Sequence, residues 1–338
     1  MKVLFVTWAG GGNSTPVLGL STRLLKRGHT VKVVSPDDAA HRFAAVGIDY
    51  ERSADVPTAI ETASPDVVVV DFMMPAWLSE AEASGVPWVA LVHTLFDRVD
   101  AGILTAFTTL EQINARRRAL GLASVAEPRA LLDNAATLLV TAPGALDTQA
   151  PANGRHVGAI LEEPGSDAGW RPPRGDDPLV AVSLGTTPGL GDDRVTGHVL
   201  DAVSDLPVRV VVHAPSHLDA TSFTAPTNVV IEGYVRHAAV MPHVTAMVTH
   251  AGLGSISAAL SHGVPLVCIP LGRDQPHNAD RVAAVGAGVT VPADAPPSEI
   301  RSAIERVLAD PTFAVAAQPF AAEYDPTAAA AIGALEAL

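Results

Sequence analysis

The chain has 338 residues, enough for two domains, and its 48 % hydrophobic and 17 % charged content excludes a disordered protein. A net charge of −14 argues against nucleic acid as a partner, because such partners need basic surface. Cys268 is the one cysteine, which leaves no disulfide framework and no cysteine-based metal site.

No apolar run reaches membrane-spanning length. Met1-Lys2-Val3-Leu4-Phe5-Val6-Thr7 turns polar too early for a signal peptide. A cytoplasmic protein without a membrane span is the expectation.

In chain order, Lys2 to Trp8 reads as a buried strand, and Ala9-Gly10-Gly11-Gly12-Asn13 as a flexible turn. Ser14 or Thr15 is placed to cap the following helix, with Pro16 in its first turn and Gly28 at its end. Thr30 to Val34 is the next strand, so the chain opens as strand–turn–helix–strand, the start of a Rossmann-like domain. The turn lacks the G-x-G-x-x-G spacing of a dinucleotide site. A short helix (Ala39 to Val46) and strand (Ile48 to Tyr50) follow. Then come the four valines Val67 to Val70 ending in Asp71, a helix from Trp77 to Ser84, and a strand from Trp88 to Val92 ending in His93. The pattern predicts one long helix over 102–120, with Arg116-Arg117-Arg118 on its solvated face, and strands at Thr137 to Thr141 and Arg155 to Ile160.

This gives a first domain over 1–162. Residues 163–178, with Pro164, Pro172, Pro173 and Pro178, read as a linker. A second domain over 179–322 opens with Leu179 to Ser183 and a turn at Leu184-Gly185-Thr186. Residues 323–338 form a C-terminal helix expected to pack back on the first domain. Two Rossmann-like halves of this kind bind ligands at the C-terminal ends of their strands.

The most informative stretch is Met247-Val248-Thr249-His250-Ala251-Gly252-Leu253-Gly254-Ser255. It reads as a strand, a glycine turn and a helix stopped by Gly263-Val264-Pro265. A helix N-terminus offers free N–H groups and about half a positive charge, so it attracts phosphate. His250, at the strand end, is placed to donate to the same group. A second strand, Leu266 to Ile269, leads to Asp274 and Gln275, expected at the neighbouring strand end. A carboxylate beside a phosphate site suits hydroxyl groups, as on a sugar.

His250-Ala251-Gly252-Leu253-Gly254-Ser255, then Gly263-Val264-Pro265, Pro270, Asp274-Gln275 and Asn278-Ala279, resembles the donor-sugar signature of family 1 glycosyltransferases. It differs in Ala251, where the family has glycine, and in Ser255, commonly threonine. The resemblance implies the GT-B fold, two Rossmann-like domains facing across a cleft. The implied activity is an inverting, metal-independent transfer of a sugar from a UDP- or dTDP-sugar to a small hydroxylated natural product. No cofactor is implied beyond that co-substrate, and there is room for a homodimer. No Asp-x-Asp occurs, so a metal-dependent design has no support.

Carried over residue by residue, the resemblance assigns His250, Gly252, Leu253, Gly254, Ser255, Ser183, Gly185 and Thr186 to the donor phosphates. Tyr234, Val235 and His237 fall at the nucleobase, with Arg236 and His237 in place of the family's proline and glutamine. Asp274 and Gln275 fall at the sugar. The acceptor falls to Gly12, Asn13, Phe72, Met73, Trp77 and Phe96, with Met74 and Phe107 in the same loops.

One departure bears on catalysis. The family has a histidine general base in the first turn, oriented by an aspartate matching Asp71. Here the position holds Asn13, in a Gly-Gly-Asn turn shared by bacterial sequences similar over the whole length. An amide takes up no proton near neutral pH. Asp71 is the first candidate for a replacement base and His93 the second. A donor-binding homologue without catalysis, acting as a partner or activator protein, is the alternative function.

Overall fold

The computed structural model describes residues 1–8, 12–163, 169–185, 193–213, 223–233 and 235–338. Contacts divide the chain into two units, Met1–Ile160 with Asp325–Leu338, and Leu161–Tyr324.

In the first unit, strands β1 (Lys2–Val6), β2 (Thr30–Ser35), β3 (Asp49–Arg52), β4 (Val67–Asp71), β5 (Trp88–Val92), β6 (Thr137–Val140) and β7 (Gly154–His156) form a parallel sheet in the order β3-β2-β1-β4-β5-β6-β7. Its helices are α1 (Ser14–Lys26), α2 (Ala40–Ala44), α3 (Val56–Ala63), α4 (Pro75–Ser84), α5 (Ala101–Leu104) and α6 (Leu110–Ala119). The valines of β4 are buried on both faces, which is why this strand reads as a continuous apolar run and not an alternating one.

In the second unit, β8 (Leu179–Ser183), β9 (Arg209–His213), β10 (Val229–Glu232), β11 (Ala246–Thr249), β12 (Leu266–Cys268) and β13 (Gly288–Thr290) lie in the order β10-β9-β8-β11-β12-β13. They pack with α7 (Asp193–Val203), α8 (His237–Val240), α9 (Leu253–Leu260), α10 (Gln275–Ala284), α11 (Pro297–Ala309) and α12 (Pro311–Glu323). The last helix, α13 (Ala329–Glu336), buries Ile332 and Leu335 in the core of the first unit. Those two side chains contribute roughly 1.5–3 kcal/mol each. The partly exposed Arg27–Glu336 ion pair beside them adds at most about 1 kcal/mol, so apolar burial is what holds this helix.

Several expectations are corrected. The long helix over 102–120 is two helices, because Thr109 and Gln112 close a capping box that starts α6 afresh. Of the three arginines, Arg116 and Arg118 are exposed, but Arg117 is not on a solvated face. Arg117 is 2 % exposed and pairs with Glu82 at 2.6 Å, and Arg116 pairs with Glu80 at 2.5 Å. Neither Ser14 nor Thr15 caps α1, whose N-cap position is Asn13. The proline-rich stretch after residue 160 is tied to the second unit, where Trp170 Nε1 donates to Glu232 at 2.7 Å and Arg236 Nε donates to Glu162 at 3.1 Å. Among the described residues, no helix is long and apolar enough to cross a membrane.

Candidate active site

In each sheet the strand order reverses once, between β1 and β4 and between β8 and β11. The loops that diverge at such a point leave a crevice at the C-terminal strand ends. The candidate residues gather at these two places.

In the second unit, Ser183 and Thr249 are partners across β8 and β11, and His250 follows directly. His250 Nδ1 lies 3.3 Å from the Ser183 carbonyl oxygen, which can only accept, so Nδ1 carries the hydrogen. In the neutral ring the lone pair is then on Nε2. Burial pushes the His250 pKa below that of ordinary imidazole, against the opposing pull of the Ser183 carbonyl and the Asp274 carboxylate.

Two glycines make room for this ring. A Cβ on Gly252 would lie 2.4 Å from Nε2, and one on Gly185 would lie 3.2 Å from the ring at a backbone φ of +103°. The chain thus brings His250, Gly185 and Gly252 together at the N-terminus of α9. That helix has no side-chain cap, and the N–H groups of Leu253 and Gly254 precede its first backbone bond, from Ser255 to Gly252. Ala251 adopts φ 64°, a left-handed backbone that costs a residue with a Cβ roughly 1–2 kcal/mol. Ser255 and Ser183 are both buried. Thr186 lies outside the described residues.

Asp274 and Gln275 are not on a strand end: Asp274 is the N-cap residue of α10 and Gln275 its first residue. The Gln275 carbonyl oxygen accepts from the backbone of Leu271 (2.7 Å) and Gly272 (3.1 Å), and the residue is 4 % exposed. The side-chain oxygen of Gln275 is therefore taken up in closing the loop before α10 and not by sugar hydroxyls. Asp274 remains partly exposed and accepts from Asn278 Nδ2 at 3.0 Å. The same Nδ2 donates to the Ala251 carbonyl at 3.1 Å, so Asn278 ties Asp274 to the glycine turn.

Of the nucleobase residues, Tyr234 lies outside the described residues, and Val235 is half-buried. His237 opens α8, where burial and the neighbouring His213 and His250 drive its pKa down to about 3. His213, at the end of β9, was not singled out in the sequence. Its ring stands edge-on to His237 with centroids 6.4 Å apart, and burial lowers its pKa too. Its position at a C-terminal strand end was the available signal.

In the first unit, Asp71 ends β4, and its carboxylate gathers three donors. Asn13 Nδ2 donates to Oδ2 at 3.1 Å, the Met73 backbone donates to Oδ1 at 3.0 Å, and His93 Nε2 lies 3.1 Å from both oxygens. Asn13 Nδ2 also donates to the Trp8 carbonyl at 2.6 Å. All three proposed catalytic positions thus meet at one carboxylate.

The acceptor residues divide. Gly12 faces open space and Met73 is half-buried. Phe72 is fully buried, its ring edge-on to His93, and Trp77 and Phe96 are 7 % and 6 % exposed. Their expected role as acceptor surface is corrected, because these side chains fill the core. Phe107 instead is 65 % exposed and packs edge-on to Trp8, centroids 5.3 Å apart. Among the described residues, the buried Trp8 indole N–H has no hydrogen-bond partner.

Comparison with known proteins bears on both units. Residues 197–338 match the family described as erythromycin biosynthesis protein CIII-like, C-terminal domain. A solved glycosyltransferase, VinC in complex with dTDP, superposes with a TM-score of 0.78 over 99 % of both chains at 20 % identity. This chain has the GT-B fold. It is 33 % identical over 180 residues to 4'-demethylrebeccamycin synthase of Lentzea aerocolonigenes, covering 52 % of this chain and 42 % of that protein. It is 28 % identical over 361 residues to L-demethylnoviosyl transferase of Streptomyces niveus, covering 92 % and 90 %. The chain spans only 39–42 % of the length of the first curated relatives it matches.

Proposed function

We propose that this GT-B chain is a glycosyltransferase that moves a sugar from a nucleoside diphosphate donor, UDP or dTDP, to a hydroxyl of a small natural product. The observation that carries the reading is the cradle at the end of β11, with His250 seated between Gly185 and Gly252 at an uncapped helix N-terminus. A relative named L-demethylnoviosyl transferase, and a glycosyltransferase of the same fold solved in complex with dTDP, support it.

The chemistry follows from the donor site. As the bond from the anomeric carbon to the phosphate oxygen breaks, negative charge builds on the departing diphosphate. The α9 N–H groups and a protonated His250 meet that charge, the electrostatic contribution that is usually the largest in such reactions. No metal is required, since histidine and helix end do its work. Asp274 takes the sugar hydroxyls. His237 and Val235 lie toward the nucleobase, and Arg236 is already held by Glu162. Direct displacement at the anomeric carbon inverts it. Trp8 and Phe107 present an aromatic face for an apolar acceptor.

Calorimetry with UDP and dTDP, with and without EDTA, tests the donor site. Binding that disappears in EDTA, or no binding at all, overturns it. Mass spectrometry of reactions with panels of donor sugars and aglycones tests transfer. Tight donor binding with no product across the panels makes the chain a non-catalytic homologue.

A further inference from the structure

We propose that His93 is the general base of this transfer, that Asp71 holds its ring, and that Asn13 fixes Asp71. The inference rests on the glycosyltransferase reading above and adds the destination of the acceptor's proton.

Asp71 itself is poorly placed for that task. Its side chain is 1 % exposed, and both carboxylate oxygens already receive hydrogen bonds from Asn13, Met73 and His93. An acceptor hydroxyl would have to displace one of these donors inside the core. The carboxylate is instead a fixed acceptor for His93 Nε2–H. It selects that tautomer, places the lone pair on Nδ1, and stabilises the imidazolium once a proton arrives. His93 sits just beyond β5, next to the sheet's reversal, and its side chain keeps 13 % of its surface exposed. Phe72 packs edge-on against the ring at 4.9 Å and limits its rotation. Asn13 has no basic atom near neutral pH, but its amide N–H ties the β1–α1 turn to Asp71 Oδ2.

In the step itself, the acceptor O–H proton passes to His93 Nδ1. The oxygen electron pair forms the bond to the anomeric carbon. The bond from that carbon to the donor phosphate breaks, and its electrons leave on the nucleoside diphosphate. The imidazolium then returns its proton to water.

The fold supplies its own control. His156 Nε2 lies 2.9 Å from Asp147 Oδ2, with side chains 15 % and 0 % exposed, so the second pair resembles the first in chemistry and burial. Asp147, however, also accepts from the backbone of Phe96 and Asp97 and pins that loop. His156 stands on β7, the edge strand, three strands from β4.

The test uses the full chain with a donor and acceptor that support turnover. His93→Gln and His93→Ala should lower kcat by about 100-fold or more. KM for the donor and the affinity for free nucleotide should stay within about threefold of native, which also reports that the variants fold. Added imidazole should restore turnover to His93→Ala and not to Asp71→Asn. Nitrogen-15 NMR of histidine-labelled protein should show His93 protonated at Nε2, a preference lost in Asp71→Asn. His156→Gln should retain native kcat.

Transfer that survives His93→Gln within about tenfold, or His93→Ala that imidazole does not rescue, overturns the assignment of the base alone. A chain that binds nucleotide and transfers nothing overturns the functional reading and the base with it.

Discussion

The two sheets share one strand order around their reversal points and differ in what they place there. At the first, between β1 and β4, a buried carboxylate collects a histidine, an amide and a backbone N–H. At the second, between β8 and β11, the histidine faces glycines and a helix N-terminus, and the nearest carboxylate, Asp274, belongs to the following loop. A histidine leaned on by a carboxylate is set up to accept a proton. A half-buried histidine facing a helix N-terminus is set up to bind an anion. On the proposed reading the same topology separates proton chemistry from phosphate chemistry, which predicts that each crossover can be disabled without the other.

The largest separation is expected from Asp71→Asn. Turnover should fall by about 100-fold or more, while calorimetric affinity for free nucleotide stays native. A parallel loss of nucleotide affinity would mean that the two crossovers do not act independently. The converse comes from Gly252→Ala. Its Cβ would sit 2.4 Å from His250 Nε2, so the ring must move out of the cradle. Loss of one charge-assisted bond costs about 1.5–3 kcal/mol, or roughly 10- to 100-fold in nucleotide affinity. Histidine NMR should at the same time show His93 undisturbed. Gly185→Ala, at 3.2 Å and with a left-handed backbone, should act in the same direction.

A finer distinction concerns protons. His250 is held neutral by burial in the free protein, and a bound diphosphate favours its charged form. The complex then carries more protons than its components, so rising pH weakens binding, by up to about tenfold per pH unit between the free and bound pKa values. Calorimetry in buffers of different ionisation enthalpy should report uptake of one proton, abolished in His250→Gln. Binding without proton uptake would show that His250 meets the phosphate as a neutral ring.

The second crossover was more legible in the sequence than the first, for a physical reason. The proposed phosphate cradle is local: strand, histidine, glycines and helix follow one another over Ala246–Leu260, so their spacing carries the geometry. The first crossover is assembled from Asn13, Asp71 and His93, on three separate loops. Each reads alone as a polar residue near a strand end, and only the sheet order joins them. At Gln275, side-chain type alone did not announce that its oxygen caps the Leu271 and Gly272 N–H groups. Phe72, Trp77 and Phe96 were misread because an apolar side chain near a site looks the same whether it lines a pocket or fills a core. The buried pairing of Arg117 with Glu82 joins α6 to α4, and no spacing within either helix announces it.

The smallest effect is on stability, and it too belongs to one crossover. His213, His237 and His250 all have pKa values lowered by burial, and the rings of His237 and His213 meet in a T-shaped contact. Glu232 partly opposes the shift at His213 and Asp274 that at His250, whereas His237 is pushed further by both neighbouring histidines. The sign follows from linkage. Above the ordinary imidazole value of 6.5 the rings are neutral folded and unfolded, so stability is at its full value. As pH falls below 6.5, the unfolded chain binds protons that the folded chain refuses, and stability is lost down to the folded value, about 3 for His237. His237 costs about 1.4 kcal/mol per pH unit within that window, and His213 and His250 act in the same direction. Thermal unfolding should therefore find the second unit less stable at pH 5.5 than at pH 7.5, and His237→Gln should recover about 1 kcal/mol of that loss. An acid sensitivity unchanged in His237→Gln would mean that this ring takes up its proton without unfolding. The three neutral imidazoles would then not be part of what holds the donor crossover together.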